Sequence, residues 1–164
     1  MLNLMVDVHG VLANYVKSFC EYHELLGVYE NWPSGVYDIE KVTGKSWLEF
    51  PAENYRQLPE TEDFVEIMPL LVGHNISFAT HVPNIEVAEA VLYWLARRIS
   101  PVNLLACSCM KAESAPIDIV QDFILLDDCD DEFHGVASLV NGHWSLAMID
   151  FRVGARRWQP TLRN

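Results

Sequence analysis

Two apolar segments of this 164-residue sequence each run directly into acidic side chains. Asp7 follows an apolar run near the N-terminus, and Gly10 comes shortly after it. Asp127 and Asp128 close a second apolar run over 123–126. Carboxylates at the carboxyl ends of parallel strands lie where open α/β sheets place their active sites. Because Mg²⁺ prefers oxygen ligands and takes one or two carboxylates together with a phosphate, these acids predict a magnesium site.

Two further polar residues follow strand-like segments and could complete a phosphoryl-transfer site. Thr80 comes directly after the apolar run 76–79, and Lys111 lies a little beyond the segment 102–107. An aspartate nucleophile such as Asp7 can form an aspartyl-phosphate, which splits one difficult step into two. A hydroxyl can hydrogen-bond a phosphate oxygen, and a lysine adds a positive point charge. Together these residue types favour an enzyme that transfers a phosphoryl group.

Strand-like and helix-like segments alternate along the chain. Apolar runs predict strands over 1–8, 75–79, 102–107 and 123–126, and helical spacing of apolar residues predicts helices over 13–26, 61–72 and 83–98. Asn141-Gly142 predicts the turn of a hairpin that joins 136–140 to 144–149. The alternation predicts an α/β fold with a doubly wound, mostly parallel sheet.

Residues 28–60 depart from this regular alternation. They are rich in aromatic residues and irregularly punctuated by Pro and Gly, and they predict short helices over 39–42 and 46–50. We interpret this segment as a small helical cap, inserted after the first strand–helix unit, within a single domain spanning 1–164. Its aromatic side chains either form the core of the cap or face a substrate. They are Trp32, Trp47, Phe50 and Tyr55.

Composition restricts the partners to expect. The formal net charge of −12 argues against a nucleic-acid partner, because duplexes bind to basic surfaces. No apolar run approaches the roughly 20 residues that span a bilayer. The N-terminus lacks the basic start of a secretory signal. We therefore expect a cytoplasmic protein that acts on a small molecule and has no membrane partner.

The order of these residues resembles the four motifs of the haloacid dehalogenase (HAD) superfamily of phosphatases. The residues that match are Asp7, Gly10, Thr80, Lys111, Asp127 and Asp128. The sequence looks most like the 5'(3')-deoxyribonucleotidase branch, because of the run 10–13 and the insertion between the first two motifs. The resemblance implies a HAD-like, Rossmann-type fold. It also implies a Mg²⁺-dependent phosphomonoesterase whose preferred substrate is a (deoxy)nucleoside monophosphate.

The resemblance also implies a role for each matching residue. Asp7 would be the nucleophile and a Mg²⁺ ligand, and the backbone carbonyl of His9 would be another ligand. Asp127 would bind the metal directly, and Asp128 would bind it directly or through water. The hydroxyl of Thr80 and the Lys111 ammonium group would hold the phosphate.

His9 departs from the family pattern, which has a second aspartate at this position. That aspartate protonates the leaving oxygen and later activates water. Histidine can do both in principle, because its unperturbed pKa of about 6.5 lies near working pH. Three interpretations of His9 stay open: a working acid/base, a slowed enzyme that accumulates phosphorylated Asp7, and a catalytically degenerate protein that binds a nucleotide or a protein partner.

Overall fold

The structure, a computed structural model, describes residues 3–33, 36, 38–100, 102, 104–107, 123–127, 144–148 and 159–162. A six-stranded sheet with intervening helices organises the described part of the chain, so the predicted α/β class is confirmed. The strands are β1 (Asn3–Val6), β2 (Asn75–His81), β3 (Leu104–Cys107), β4 (Phe123–Asp127), β5 (Trp144–Met148) and β6 (Gln159–Leu162).

The strand order is β3-β2-β1-β4-β5-β6. All neighbouring pairs are parallel except β5 and β6, which are antiparallel. The chain moves outward from β1 to β2 and β3, and then returns to the other side of β1 with β4. The order of the strands therefore reverses between β1 and β4, and open α/β sheets form their binding crevice at such a point.

Strand β5 matches the second strand of the predicted hairpin, over 144–149. One edge of β5 pairs with β4, and the other pairs with β6, which is antiparallel to it and comes after it in the chain. The first strand of that prediction, 136–140, and its turn at Asn141-Gly142 lie outside the described residues.

The helices differ in length from those predicted. In the described residues they are α1 (Tyr15–Tyr22), α2 (Leu26–Glu30), α3 (Ile39–Thr43), α4 (Ala52–Tyr55), α5 (Phe64–Leu71) and α6 (Ile85–Ala96), with a 3₁₀ turn at Trp47–Glu49. None of the helices in the described ranges combines the length and apolar character needed to cross a bilayer.

The predicted helix over 13–26 is two helices, because α1 ends in a Schellman motif. The Leu25 N–H donates to the Cys20 carbonyl at 2.6 Å, and the Glu24 N–H donates to the Glu21 carbonyl at 3.1 Å. Glu24 has a φ of 60°, the left-handed conformation that this motif requires. Gly27 directly follows the predicted helix over 13–26 and suits a helix end, but it lies inside α2 instead.

Replacing Glu24 by glycine is expected to stabilise the protein by about 1 kcal/mol, because glycine adopts the left-handed conformation without a Cβ clash. The free energy of unfolding from urea titrations measures the change. Glu89→Gly is the matched control: Glu89 is exposed within α6, so glycine should destabilise there by roughly 1 kcal/mol. A loss of stability in Glu24→Gly would contradict the assigned helix end.

Helix α6 begins two residues after its predicted start at Pro83, because Asn84 caps it. The Asn84 side chain accepts a hydrogen bond from the Val87 N–H at 2.9 Å. The helical spacing predicts a buried stripe of Val87, Ala88, Val91, Leu92 and Leu95. All of these are buried except Leu92, which is 44% exposed. Trp94 is buried instead, and its Nε1–H donates to the Leu58 carbonyl at 2.7 Å. The buried face of α6 therefore includes Trp94 in place of Leu92.

The segment between β1 and α5 begins and ends at neighbouring positions, beside the turn that follows β1. The Asn14 N–H donates to the Pro59 carbonyl at 2.8 Å, and the Thr61 N–H donates to the Leu12 carbonyl at 2.9 Å. The Thr61 hydroxyl also donates to the Val11 carbonyl at 2.7 Å. We call residues 14–60 the excursion. These bonds hold its two ends against the turn that follows β1.

Candidate functional site

The strand register brings Asp7 and Asp127 alongside each other. Val6 pairs with Leu126 in the parallel β1–β4 ladder, so the next residue of each chain segment is Asp7 and Asp127. Adjacent strands lie about 4.8 Å apart, which is the backbone separation expected here. Asp7 is 4% exposed. Two carboxyl-bearing residues therefore leave the sheet side by side where the strand order reverses.

A tight turn after β1 positions the residues that follow Asp7. The Val8 carbonyl accepts hydrogen bonds from the Leu12 and Ala13 N–H groups, at 2.9 and 2.8 Å. Gly10 has a φ of 89°, and its N–H donates to the Ala13 carbonyl at 2.8 Å. A side chain at Gly10 would be strained in this left-handed conformation. The turn thus requires the glycine of the Asp-x-x-Gly motif.

Thr80 lies inside β2 and contacts His9. The sequence predicted Thr80 just after the strand, but β2 continues to His81 because Thr80 and His81 pair with Ala106 and Cys107 of β3. The Thr80 Oγ1 lies 3.0 Å from the His9 Nδ1, within hydrogen-bond distance. Thr80 is 1% exposed, and His9 is half-buried. The hydroxyl predicted to hold phosphate is therefore also engaged with the imidazole.

Two tyrosine rings enclose the His9 ring. The ring centroids of Tyr15 and Tyr55 lie 5.3 and 5.4 Å from that of His9. Phe50 contacts both tyrosines, at 5.4 and 5.2 Å between centroids. Burial raises the pKa of Tyr15 far above its usual range, and the neighbouring Tyr55 raises it further. Burial also raises the pKa of Tyr55, so both hydroxyls are neutral at physiological pH.

Tyr15 is the site residue that the sequence analysis missed. It is the first residue of α1, a few positions beyond the tight turn. A helix that starts directly after a turn keeps its first side chains close to that turn. The start of α1, if placed correctly, could have identified Tyr15 as a neighbour of His9. Phe50 and Tyr55 belong to the aromatic residues of the predicted cap, and both are buried against this site.

Not every predicted site residue is among those that the structure describes. Lys111 and Asp128 lie outside the described residues, and Asp127 is placed by its backbone. Among the residues that the structure describes, no group of three or more His, Cys, Asp or Glu side chains is arranged to hold a metal ion. The site geometry therefore rests on Asp7, His9, Thr80 and the register of Asp127.

Comparison of the sequence with protein-family models and with curated proteins gives no match.

Proposed function

We propose that the protein is a Mg²⁺-dependent phosphomonoesterase with a HAD-like, doubly wound fold. The observation that carries the proposal is the register that sets Asp7 beside Asp127 at the reversal of the strand order. Two neighbouring carboxylates repel each other, and a divalent cation between them relieves that repulsion. Thr80, on the strand at the other side of β1, adds a hydroxyl near the same edge.

The donor atoms suit magnesium. Asp7, the backbone carbonyl of His9 and Asp127 all offer oxygen, which Mg²⁺ prefers over nitrogen or sulfur. The resemblance adds Asp128 as a fourth ligand. Bound by these residues, Mg²⁺ would neutralise carboxylate and phosphate charge and so let an anionic nucleophile approach the phosphate.

The residues of the chain would carry the reaction in two steps. In the first, an Asp7 carboxylate oxygen forms a bond to phosphorus, and the bond to the leaving oxygen breaks. Protonated His9 gives its proton to that oxygen, and the alcohol departs. In the second, neutral His9 takes a proton from water as the water oxygen attacks phosphorus. The bond to Asp7 breaks, phosphate leaves, and both residues return to their starting states.

The proposed substrate is a (deoxy)nucleoside monophosphate. The resemblance supports this choice, and so does the half-buried ring of Tyr15 beside His9. Tyr15, Phe50 and Tyr55 form a connected group of rings at the site. Stacking of one base on an aromatic side chain contributes roughly 1–3 kcal/mol. Phe50 and Tyr55 are almost fully buried, so the half-buried Tyr15 is the ring of this group that would stack on a base, and such stacking would favour a nucleoside over a sugar alone as the leaving alcohol.

Phosphate release from a panel of monophosphates tests the proposal. Deoxynucleoside and ribonucleoside monophosphates should be hydrolysed in the presence of Mg²⁺ and left intact in excess chelator. Ribose 5-phosphate, which lacks a base, should react at least roughly tenfold more slowly in kcat/KM, the equivalent of about 1.4 kcal/mol of lost stacking. Equal rates on both substrates would reject the nucleotide preference. Equal rates with and without chelator would reject the metal-dependent mechanism.

The packing of His9 also supports a second candidate. A histidine enclosed by two tyrosines and hydrogen-bonded to Thr80 is compatible with a degenerate site that binds a nucleotide or a protein partner without turnover. Calorimetric titration with the same monophosphates separates the two candidates. Binding without phosphate release would favour the degenerate protein.

A further inference from the structure

We infer that Thr80 is a positioning residue for His9, because the hydrogen bond between its hydroxyl and Nδ1 sets the orientation and the tautomer of the imidazole ring. The assignment of the reaction rests on the proposed function. The effect of Thr80 on the imidazole does not, because it follows from the contact between the two side chains.

The contact joins parts of the chain that are distant in sequence. Thr80 and His9 are 71 positions apart, and the parallel β1–β2 ladder, in which Val6 pairs with Phe78, brings them together. Thr80 is on a central region of the sheet and is 1% exposed, so its hydroxyl has a fixed position. His9, in contrast, lies on the turn after β1 and depends on its contacts for its orientation.

The contacts of the His9 imidazole with Thr80, Tyr15 and Tyr55 define one orientation of the ring. Nδ1 lies 3.0 Å from the Thr80 Oγ1, while Tyr15 and Tyr55 contact the ring at 5.3 and 5.4 Å between centroids. Rotating the imidazole by half a turn would replace Nδ1 with a carbon atom at the hydroxyl and lose the hydrogen bond. Thr80 therefore selects Nδ1 as the ring nitrogen that it binds, and Nε2 is the nitrogen that does not contact Thr80.

One hydroxyl can serve both His9 and a phosphate. A threonine hydroxyl has one hydrogen to donate and two lone pairs that accept. Thr80 can donate its hydrogen to a phosphate oxygen while its oxygen accepts the Nδ1–H of His9. This arrangement reconciles the phosphate-binding role implied by the resemblance with the contact seen in the structure.

With phosphate bound, the arrangement fixes the tautomer of His9. Nδ1 keeps its hydrogen through both steps of the reaction, because Thr80 can then only accept. The protonated ring carries a second hydrogen on Nε2, which it can give to the leaving oxygen. The neutral ring has a lone pair on Nε2, which can take a proton from water. In histidine sites generally, the partner of one nitrogen decides the role of the other.

Nitrogen NMR of histidine-labelled protein tests the inference without requiring turnover. The protein is saturated with Mg²⁺ and inorganic phosphate, at a pH about two units above the usual imidazole pKa of roughly 6.5. The loss of signals in His9→Gln identifies His9. We expect the Nδ1–H tautomer in the wild type and in Thr80→Ser. In Thr80→Val, which keeps the side-chain shape, we expect a mixture that includes the Nε2–H form.

Two results would overturn the inference. The first is an Nε2–H tautomer in the phosphate-saturated wild type, which needs no variant to fold. The second is an unchanged tautomer population in Thr80→Val. If inorganic phosphate causes no change in any spectrum and no monophosphate is hydrolysed, the proposed function fails. In that case the comparison of wild type with Thr80→Val still decides the role of Thr80.

Steady-state kinetics separates positioning from simple phosphate binding. A positioning role predicts that Thr80→Val lowers kcat by roughly tenfold or more on alkyl phosphates, and less on p-nitrophenyl phosphate, whose leaving group needs little protonation. Thr80→Ser should keep the wild-type pattern. A rise in KM of equal size on both substrates, with kcat unchanged, would assign Thr80 to phosphate binding alone and overturn the inference.

Discussion

Asp7→Asn is expected to abolish phosphate release, with a loss of roughly 10⁴-fold or more in kcat, as for removal of other catalytic nucleophiles. The amide cannot form the bond to phosphorus, and it removes a negative charge that would bind Mg²⁺. The fold should persist, because asparagine has nearly the same shape as aspartate. It also removes a negative charge from a side chain that is only 4% exposed, so no charge has to be desolvated. Phosphate release at saturating Mg²⁺ measures the loss, and thermal unfolding confirms the fold.

Asp38→Asn provides the matched control. Asp38 caps α3 by accepting a hydrogen bond from the Lys41 N–H at 3.1 Å, and asparagine caps helices equally well. This variant should keep both stability and activity. Full activity in Asp7→Asn would exclude Asp7 as the nucleophile and, with it, the proposed mechanism.

His9→Ala is expected to reduce kcat on alkyl phosphates by roughly 10²–10⁴-fold, the usual contribution of a general acid or base. The loss should be much smaller on p-nitrophenyl phosphate, because that leaving group departs without a proton. His9→Asp should keep or raise activity, since it restores the aspartate of the family pattern. Rates on a series of esters that differ in leaving-group pKa measure the dependence.

Two outcomes of the His9 series would change the interpretation. If His9→Ala loses the same factor on every ester, another group carries the proton. If the wild type is inert and His9→Asp is active, the protein is a degenerate binder and the proposed hydrolysis is wrong. The wild-type contact with Thr80 would then have a structural role.

The sequence predicted the class of fold because the apolar runs are unambiguous. The apolar runs predict strands over 1–8 and 123–126, and β1 and β4 end at Val6 and Asp127, within two residues of those limits. The pairing of those strands could not be predicted in the same way, because register depends on contacts between distant segments. The alignment of Asp7 with Asp127 is thus a finding of the structure.

One local prediction failed for an identifiable reason. Glycine is the usual residue in a left-handed helix end, and Gly27 directly follows the predicted helix, yet Glu24 adopts that conformation in a complete Schellman motif. The two hydrogen bonds of that motif decide where α1 ends.

The contact of Thr80 with His9 could not be predicted from either residue alone. The sequence predicts that Thr80 lies at the same edge of the sheet as Asp7, but it does not predict the orientation of the His9 imidazole ring. That direction depends on the turn geometry at Gly10 and on the tyrosines supplied by the excursion. Such a contact requires three-dimensional information from three separate segments.

The hydrogen bonds that join Asn14 to Pro59 and Leu12 to Thr61 have a consequence for variation in length. The entropy of closing a flexible loop rises slowly, by only about 0.6 kcal/mol for each doubling of its length. Once its two ends are held together, the excursion can gain or lose residues at α2 and α3 for a small change in folding free energy. The turn that contains His9 would keep the same hydrogen bonds to Thr61. Under the proposed function, substrate preference would therefore be able to diverge through this segment while the edge of the sheet that bears Asp7 and Asp127 stays unchanged.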